Sequence, residues 1–314
     1  MNPRRIAFLI GAGASLGAGH ILPVSPPLGS DLYDKLASQF PDSWGPRGRI
    51  GQMYADGLRR DFEATVFNEV CMREPAINVL EWNRDMAHFF AQFTLDGTGC
   101  DLYTRLLDFL QTSDNLANTS FTSLNYDCLL EQAATARGMN VVYCGPHDGG
   151  ADVRILKIHG SCHFITEDLS RLTYLLTNSG SGLECGFEIL STRNLRQTLQ
   201  SKFLSQRSGF YPVFSLYAFG KNTPVATVKI QEIRNAWLEE AEHATHLIVI
   251  GVRCNRDDHH ITDGLKGTDA RRILYVGGTK DFADWHSLNP YCQHLGERFD
   301  QSFDAICDGV LRNP

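Results

Sequence analysis

The stretch "RRIAFLIGAGAS", residues 4–15, decides how the rest of the chain is interpreted. Its apolar run, Ile6 to Ile10, ends abruptly in Gly11-Ala12-Gly13-Ala14-Ser15, and further glycines follow closely. A short apolar run bounded by glycines is typical of a buried strand, and glycines at its end let another group approach the backbone. The stretch therefore predicts a strand followed by a loop that a ligand approaches.

The spacing of the glycines leaves several interpretations open. The pattern Gly11-x-Gly13-x-x-x-Gly17 is one residue longer than the dinucleotide-binding pattern G-x-G-x-x-G, but its N–H groups can still reach a pyrophosphate. A dehydrogenase is disfavoured, because Asp31, near the expected acidic position, opens a helical pattern. A hydrolase nucleophile elbow at Ser15 would normally lie later in the chain. A turn with glycines for packing alone remains an alternative, and we favour a phosphate cradle.

Further apolar runs, bounded by turn residues, predict more strands along the chain. They lie at 120–126, 140–144, 154–160, 246–252 and 272–278. Several are apolar without alternation, as expected for strands that are covered on both faces of a parallel sheet. Helical patterns at 127–138 and 230–244 separate them. This alternation predicts an α/β fold with a Rossmann-like, doubly wound, mostly parallel sheet.

Two segments interrupt the alternation. Residues 31–115 have mostly helical patterns, and residues 166–239 are mixed. We expect a single domain over 1–314, in which these two excursions form a helical module. The Rossmann core is expected at roughly 1–30, 116–165 and 240–314. Ligands of such folds bind beyond the carboxyl ends of the strands.

Composition excludes several classes of protein. The 314 residues are 43% hydrophobic and 21% charged, as in an ordinary soluble globular protein. The net charge of −7, without a run of Lys and Arg, disfavours direct binding to nucleic acids or anionic membranes. No apolar run is long enough to span a membrane or to form a signal peptide, so we expect a cytoplasmic protein. The nine cysteines include no C-x-x-C pair, which disfavours a ribbon-type zinc site.

Polar residues lie at the ends of two of the predicted strands. Asn125 and Asp127 lie in "FTSLNYDCLLEQA" (121–133), and His159 lies in "ILKIHG" (155–160). Taken alone, Asp127 is more often a helix cap than a catalyst, and a single histidine is more often structural. Clusters at 159–163 and 257–260 lack a convincing fourth metal ligand, and Asp258 is expected to cap a helix. We therefore predict no metal site.

Together, these motifs are more specific than any one of them. The order GAG-x-S, T-x-x-N-Y-D, K-x-H-G-S and then an apolar strand that ends at Gly251, with an Asp seven residues later, resembles the sirtuin superfamily. The chain is more similar to the bacterial sirtuin-like NAD-hydrolysing branch, which is common among anti-phage defence effectors. The resemblance covers nearly the whole chain, although residues 40–115 match only in helical character.

The resemblance implies a role for each motif residue. The NAD pyrophosphate and the adjoining ribose would be bound by Gly11, Ala12, Gly13 and Ser15. Asn125 would lie beside the nicotinamide ribose and help position the attacking water. Asp127 would hold the nicotinamide carboxamide, and His159 would contact the ribose hydroxyls. Gly251 with its loop and Gly277 at the next strand end would hold the adenosine half.

The chain departs from the family pattern at two points. It lacks the paired C-x-x-C motifs of the zinc module in deacylating sirtuins, which disfavours protein deacylation. Where the defence branch often has G-Y-S, this chain has Gly251-Val252-Arg253. Arg253 is either a bidentate phosphate clamp or a surface charge.

The resemblance implies an NAD⁺ glycohydrolase that releases nicotinamide and ADP-ribose, acting as the NAD-depleting effector of a bacterial anti-phage defence system. NAD would be the substrate, no metal would take part, and Asn125 and His159 would be catalytic. The alternative is a non-catalytic sensor or regulatory subunit that binds NAD or ADP-ribose derivatives. Because an uncontrolled NAD hydrolase would kill its own cell, we expect a separate sensor or activator protein, a regulated homo-oligomer, or both.

Overall fold

Strands and helices alternate along the computed structural model, which describes residues 4–145, 152–169, 184–204, 209–215, 225–254, 258–268 and 272–311. The strands are β1 (Ile6–Ile10), β2 (Ile21–Leu22), β3 (Thr94–Leu95), β4 (Thr119–Ser123), β5 (Asn140–Val142), β6 (Asp152–Lys157), β7 (Gly160–Thr166), β8 (Phe187–Ile189), β9 (Pro212–Phe214), β10 (His246–Ile250), β11 (Arg272–Val276) and β12 (Cys292–Gly296).

The helices connect these strands and cover the sheet. They are α1 (Ala12–Gly17), α2 (Gly29–Gln39), α3 (Arg49–Arg60), α4 (Phe62–Thr65), α5 (Cys71–Arg73), α6 (Ala76–Phe90), α7 (Leu102–Thr112), α8 (Leu129–Ala136), α9 (Leu195–Phe203), α10 (Thr227–His243), α11 (His259–Gly267), α12 (Thr279–Leu288) and α13 (Phe299–Leu311). A π-helical turn, Val66–Val70, joins α4 to α5, and a 3₁₀ turn, Leu116–Asn118, precedes β4. Among the described residues, no helix combines the length and the apolar character needed to cross a membrane.

A central sheet of seven parallel strands has the order β12-β11-β10-β1-β4-β6-β5. All five residues of β1 are buried, because helices cover both faces of the sheet. Alternate residues of this strand enter different cores: Ile6, Phe8 and Ile10 enter one, Ala7 and Leu9 the other. The prediction of an α/β fold with a parallel, doubly wound sheet is confirmed.

The sheet contains a topological switch between β1 and β10. After β1 the chain continues towards β4 on one side, whereas after β10 it continues to β11 on the other side. In open parallel sheets, the connections that leave such a pair in opposite directions open a crevice outside the carboxyl ends of the two strands. Gly11 follows β1 directly and Gly251 follows β10 directly, so both glycines lie at this crevice.

The predicted strand 154–160 is wrong in its extent. The sheet strand β6 ends at Lys157, and Gly160 begins β7, which pairs antiparallel with β8 and β9 in a separate sheet. Gly160 has a φ of +75°, and a Cβ atom there would lie 1.9 Å from the Val213 carbonyl oxygen. A glycine is therefore required where the chain leaves one sheet for another.

The chain also contains a strand that its pattern did not predict. β12 occupies the edge of the central sheet beside β11, and only one of its five residues is fully buried. An edge strand covered on fewer sides lacks the continuous apolar run that identified the others.

The two excursions contact each other. Helix α6, from the first excursion, packs against α9 and β9 of the second and against β7. The aromatic residues at and just after its end are buried in the same core as Ile6, Phe8 and Ile10 of β1; they are Phe89, Phe90 and Phe93. The division of the chain into core and excursions at the stated boundaries remains a prediction.

Candidate functional site

The loops after β1 and β10 are in direct backbone contact. The Gly11 N–H donates to the Ile250 carbonyl oxygen at 2.9 Å, and the Gly13 N–H donates to the Gly251 carbonyl oxygen at 3.1 Å. A Cβ atom on Gly11 would lie 2.5 Å from the Gly251 oxygen, and one on Gly251, whose φ is +64°, would lie 2.2 Å from the Ala14 nitrogen. Close packing between the two loops therefore explains by itself why glycine is needed at these positions. Ala12, the first residue of α1, is exposed beside them.

The side chain of Asn125 joins the β4 end to the glycine loop. Its Nδ2 donates to the Gly11 carbonyl oxygen and to Ser15 Oγ, each at 3.0 Å. Because a carbonyl oxygen can only accept, the amide nitrogen must be the atom that points at Gly11. Both amide hydrogens are then used within the protein. The atom that Asn125 can present to a ligand or a water molecule is therefore its carbonyl oxygen, Oδ1.

Ser15 is fully buried, and its role beside the NAD pyrophosphate stays a prediction. Its Oγ lies 2.9 Å from the hydroxyl of Tyr103, a residue of α7, in addition to its contact with Asn125. Ser15 thus connects three elements: α1, the β4 end and α7. In this arrangement it supports Asn125 rather than facing solvent.

Asp127 is buried at the start of α8, two residues after Asn125. Its Oδ1 accepts a hydrogen bond from the Leu129 N–H at 3.2 Å, while Cys128 occupies the N-cap position of the helix. Burial raises the pKa of Asp127, and the charge of Lys157 opposes this effect. The bond to Leu129 and the role implied by the family are compatible, because the bond uses only one of the two carboxylate oxygens.

The ammonium group of Lys157 lies next to Asp127 and is fully buried. It donates to the Asp127 backbone oxygen at 2.7 Å and lies 3.2 Å from Glu131 Oε1. Burial alone would lower the pKa of Lys157, but the charge of Glu131 and of its neighbours raises it above the ordinary value. Lys157 therefore remains charged and fixes the backbone at Asp127.

His159 lies in the turn between β6 and β7, and its side chain is only 5% exposed. Its Nε2 is 3.6 Å from Oδ2 of Asp258, a residue that is also buried. Asp258 stands at the N-cap position of α11, but its side chain makes no capping hydrogen bond. The expectation that it caps this helix is therefore wrong, because its carboxylate is directed to His159 instead.

A buried arginine organises the backbone on both sides of His159. Arg234, on α10, donates from Nε to the Ile158 oxygen at 3.0 Å and from Nη2 to Ser215 Oγ at 2.6 Å. The Ser215 N–H in turn donates to the His159 oxygen at 2.9 Å. Burial lowers the pKa of Arg234 to about 10, and the charge of Asp258 opposes this effect. The guanidinium stays charged at neutral pH and holds the turn that carries His159.

The remaining predicted residues lie on the other side of the switch. Arg253 is exposed, two residues after Gly251. Gly277 follows β11, where its carbonyl oxygen is 2.8 Å from Nε2 of His294 and its N–H donates to the Gly296 oxygen. The contacts bring Asn125, Ser15, Gly11, Gly13 and Gly251 together, whereas Gly277 contacts the outer strand β12.

A separate groove of about 220 Å³ lies between residues 23–27, α2 and the end of α6. It is lined by Pro23, Val24, Lys35 and Phe93, among others, and by none of the predicted site residues. The candidate site is therefore defined by the strand ends at the switch and not by this groove.

Sequence reasoning missed the residues that support the site from behind. Lys157 was visible as a single charge within an apolar run, which is a signal for a buried ion pair. Tyr103 lies in an ordinary helical pattern and is 88 residues away from Ser15 along the chain, so no local signal identified this contact.

The fold is similar to that of a Sir2 homologue that was solved in complex with NAD. The crystal structure of a complex between a Sir2 homologue and NAD matches 98% of this chain and 89% of its own, with a TM-score of 0.50 and 13% sequence identity. A structure on the mechanism and regulation of Sir2 enzymes matches 98% of this chain and 92% of its own, with a TM-score of 0.49 and 15% identity. An ADP-ribose complex of a Sir2 homologue with a serine-to-alanine substitution matches 99% and 95%, with a TM-score of 0.48 and 12% identity. Neither a scan against protein-family models nor a search of curated proteins found a match.

Proposed function

We propose that this chain is an NAD⁺ glycohydrolase that releases nicotinamide and ADP-ribose. One observation carries the proposal: Asn125 is bonded to the glycine loop at the topological switch, so that its Oδ1 is the polar atom available at the crevice. NAD would be held by the loops after β1, β10 and β11, with Gly11, Ala12, Gly13, Gly251 and Gly277 along the dinucleotide. The Sir2-like fold supports this substrate.

The reaction needs little acid–base chemistry from the protein. The bond between the ribose C1′ and the nicotinamide nitrogen breaks, with its electron pair going to the ring nitrogen. The water oxygen bonds to C1′, and one proton is released. Since nicotinamide leaves a cationic ring as a neutral base, no carboxylic acid must protonate it, and the ribose acquires oxocarbenium character as in glycoside hydrolysis. The site must orient one water molecule and exclude bulk water.

The residues are suited to these tasks in different ways. Asn125 Oδ1 would accept a hydrogen bond from the attacking water. Asp127 would hold the carboxamide of nicotinamide. His159, whose Nε2 lies 3.6 Å from the Asp258 carboxylate, would contact the ribose hydroxyls. Arg253 is exposed and could clamp a phosphate.

We also propose the biological setting that the family resemblance implies. The chain would deplete NAD as the effector of a bacterial anti-phage defence system, under the control of a separate sensor or activator protein, a homo-oligomeric state, or both. No nucleic acid or membrane would be bound directly.

The test is nicotinamide release from NAD⁺, measured by chromatography with and without lysate from phage-infected cells. Asn125→Ala and His159→Ala should each lower the rate about 100-fold or more. Asn140→Ala and His243→Ala, which change exposed residues of the same types, should retain the wild-type rate. NAD binding without release under any condition would establish the sensor alternative instead. Release only in the presence of an acyl-lysine peptide would identify a deacylase.

A further inference from the structure

The Ser15 hydroxyl contacts two polar side chains in the interior of the protein. Tyr103 OH lies 2.9 Å from Ser15 Oγ, and Asn125 Nδ2 lies 3.0 Å from it. A hydroxyl offers one donor and two acceptor positions, so Ser15 can bond to both partners at once.

The direction of each hydrogen bond follows from what each partner can do. Asn125 Nδ2 can only donate, and therefore occupies one acceptor position of Ser15 Oγ. Tyr103 and Ser15 both carry hydroxyls, so either can donate in the bond between them. Burial raises the pKa of Tyr103 well above its ordinary value, so the phenol is protonated at neutral pH and can take part in this bond.

The position of Tyr103 is fixed by the helix that carries it. Asp101 caps α7 by accepting hydrogen bonds from the Thr104 N–H and hydroxyl at 2.8 and 2.7 Å. The next residue, Leu102, donates its N–H to the Ala18 oxygen at 2.9 Å, immediately after α1. The start of α7 is thus bonded to the end of the glycine-loop helix, which fixes the backbone of α7 beside Ser15.

We propose that Tyr103 is a positioning residue for the hydrolysis, which acts through Ser15 to hold the Asn125 amide with Oδ1 towards the crevice. This inference rests on the proposed function. Without the Tyr103 hydroxyl, the Ser15 hydroxyl loses one of its two bonds and gains rotational freedom, so that it no longer holds the Asn125 amide in one orientation. The first excursion, which contains α7, then contributes to the reaction at the carboxyl ends of the strands as well as to the core.

The first experiment is Tyr103→Phe in the full chain, which removes only the hydroxyl. We expect kcat for nicotinamide release to fall about tenfold, the value of one hydrogen bond, with KM for NAD within about twofold. The matched control is Tyr54→Phe, which removes a buried hydroxyl that donates to Glu74 in the helical region. Its kcat should be unchanged, even if its melting temperature falls as much as that of Tyr103→Phe.

The second experiment combines Tyr103→Phe with Ser15→Ala. If Tyr103 acts through Ser15, the phenylalanine substitution should lower kcat no further in the Ser15→Ala background. Independent, multiplicative losses would overturn the proposal, as would a wild-type kcat in Tyr103→Phe beside an inactive Asn125→Ala. A wild-type protein that never releases nicotinamide would refute the proposed function, and this inference with it.

Discussion

The buried ion pair between Lys157 and Glu131 is a residue-scale feature on which the site depends. Both side chains are at most 2% exposed, and Lys157 also donates to the backbone of Asp127. Removing one charge of such a pair leaves the other buried and uncompensated, which usually costs about 3–5 kcal/mol. Replacing both residues by neutral ones costs less free energy of unfolding than the sum of the two single replacements.

We therefore predict that Lys157→Met lowers the free energy of unfolding by about 3–5 kcal/mol, measured by urea denaturation. Adding Glu131→Gln should recover part of this loss. The control is Arg298→Met, which breaks the exposed pair with Asp300 and should cost less than about 1 kcal/mol. Equal, small losses in Lys157→Met and Arg298→Met would contradict the buried pair.

Individual residues of the site could be nominated from the sequence, but their contacts could not. The motifs around Asn125, Asp127 and His159 were visible because each lies at the end of a predicted apolar strand, where ligands of parallel sheets bind. The partners Tyr103, Arg234 and Asp258 reach the site from helices that are distant in the chain. Pairings at such separations depend on how the helices pack, which no local pattern records.

At the scale of elements, the contact between the loops after β1 and β10 sets the shape of the crevice. Gly251 has a φ of +64°, and its backbone lies against Gly13 and Ala14. An L-residue there meets both an unfavourable backbone conformation and a steric conflict with main-chain atoms that cannot rotate away.

We predict that Gly251→Ala lowers the free energy of unfolding by about 2–5 kcal/mol, the sum of backbone strain and overpacking. NAD affinity, measured by calorimetry, should fall as well, because the two loops must separate. Gly29→Ala is the matched control: it lies at the first position of α2 with open space around it, and should change stability by less than about 1 kcal/mol. A fully stable Gly251→Ala that binds NAD normally would refute the close contact.

Elements whose burial is uniform were predictable, and those that depend on partial cover were not. The strands β1, β10 and β11 begin where their apolar runs begin, because helices cover both faces, although the runs at 246–252 and 272–278 extend two residues beyond β10 and β11. The edge strand β12 lacks such a run, and β7 begins inside the apolar run at 154–160. The other two strands of the small antiparallel sheet, β8 and β9, were not predicted either. The apolar run at 154–160 continues through the turn because both sheets bury it, so hydrophobicity alone could not locate the break.

At the scale of the whole molecule, the order of strands places the site and the packing of the excursions supports it. The switch between β1 and β10 follows from a chain that leaves β1 in one direction and returns to extend the sheet in the other. The sequence indicated parallel strands but not their order, because order depends on which connections cross the sheet. Tyr103, from the first excursion, then contacts Ser15 of the glycine loop, and this hydrogen bond connects the two parts of the fold.

The last prediction concerns control of the proposed activity. An enzyme that consumes NAD must be restrained in its own cell, and both excursions of this chain pack onto the strands of the core, with α6 against β7 and α10 against β6. We therefore expect the purified chain, when monomeric, to release nicotinamide slowly. The rate should rise at least about tenfold on oligomerisation or on addition of lysate from infected cells, and lysate from uninfected cells is the control. Light scattering coupled to size-exclusion chromatography, beside the activity assay, measures both quantities. A monomer with full activity in the absence of any partner would contradict control by assembly, while leaving the hydrolase itself in place.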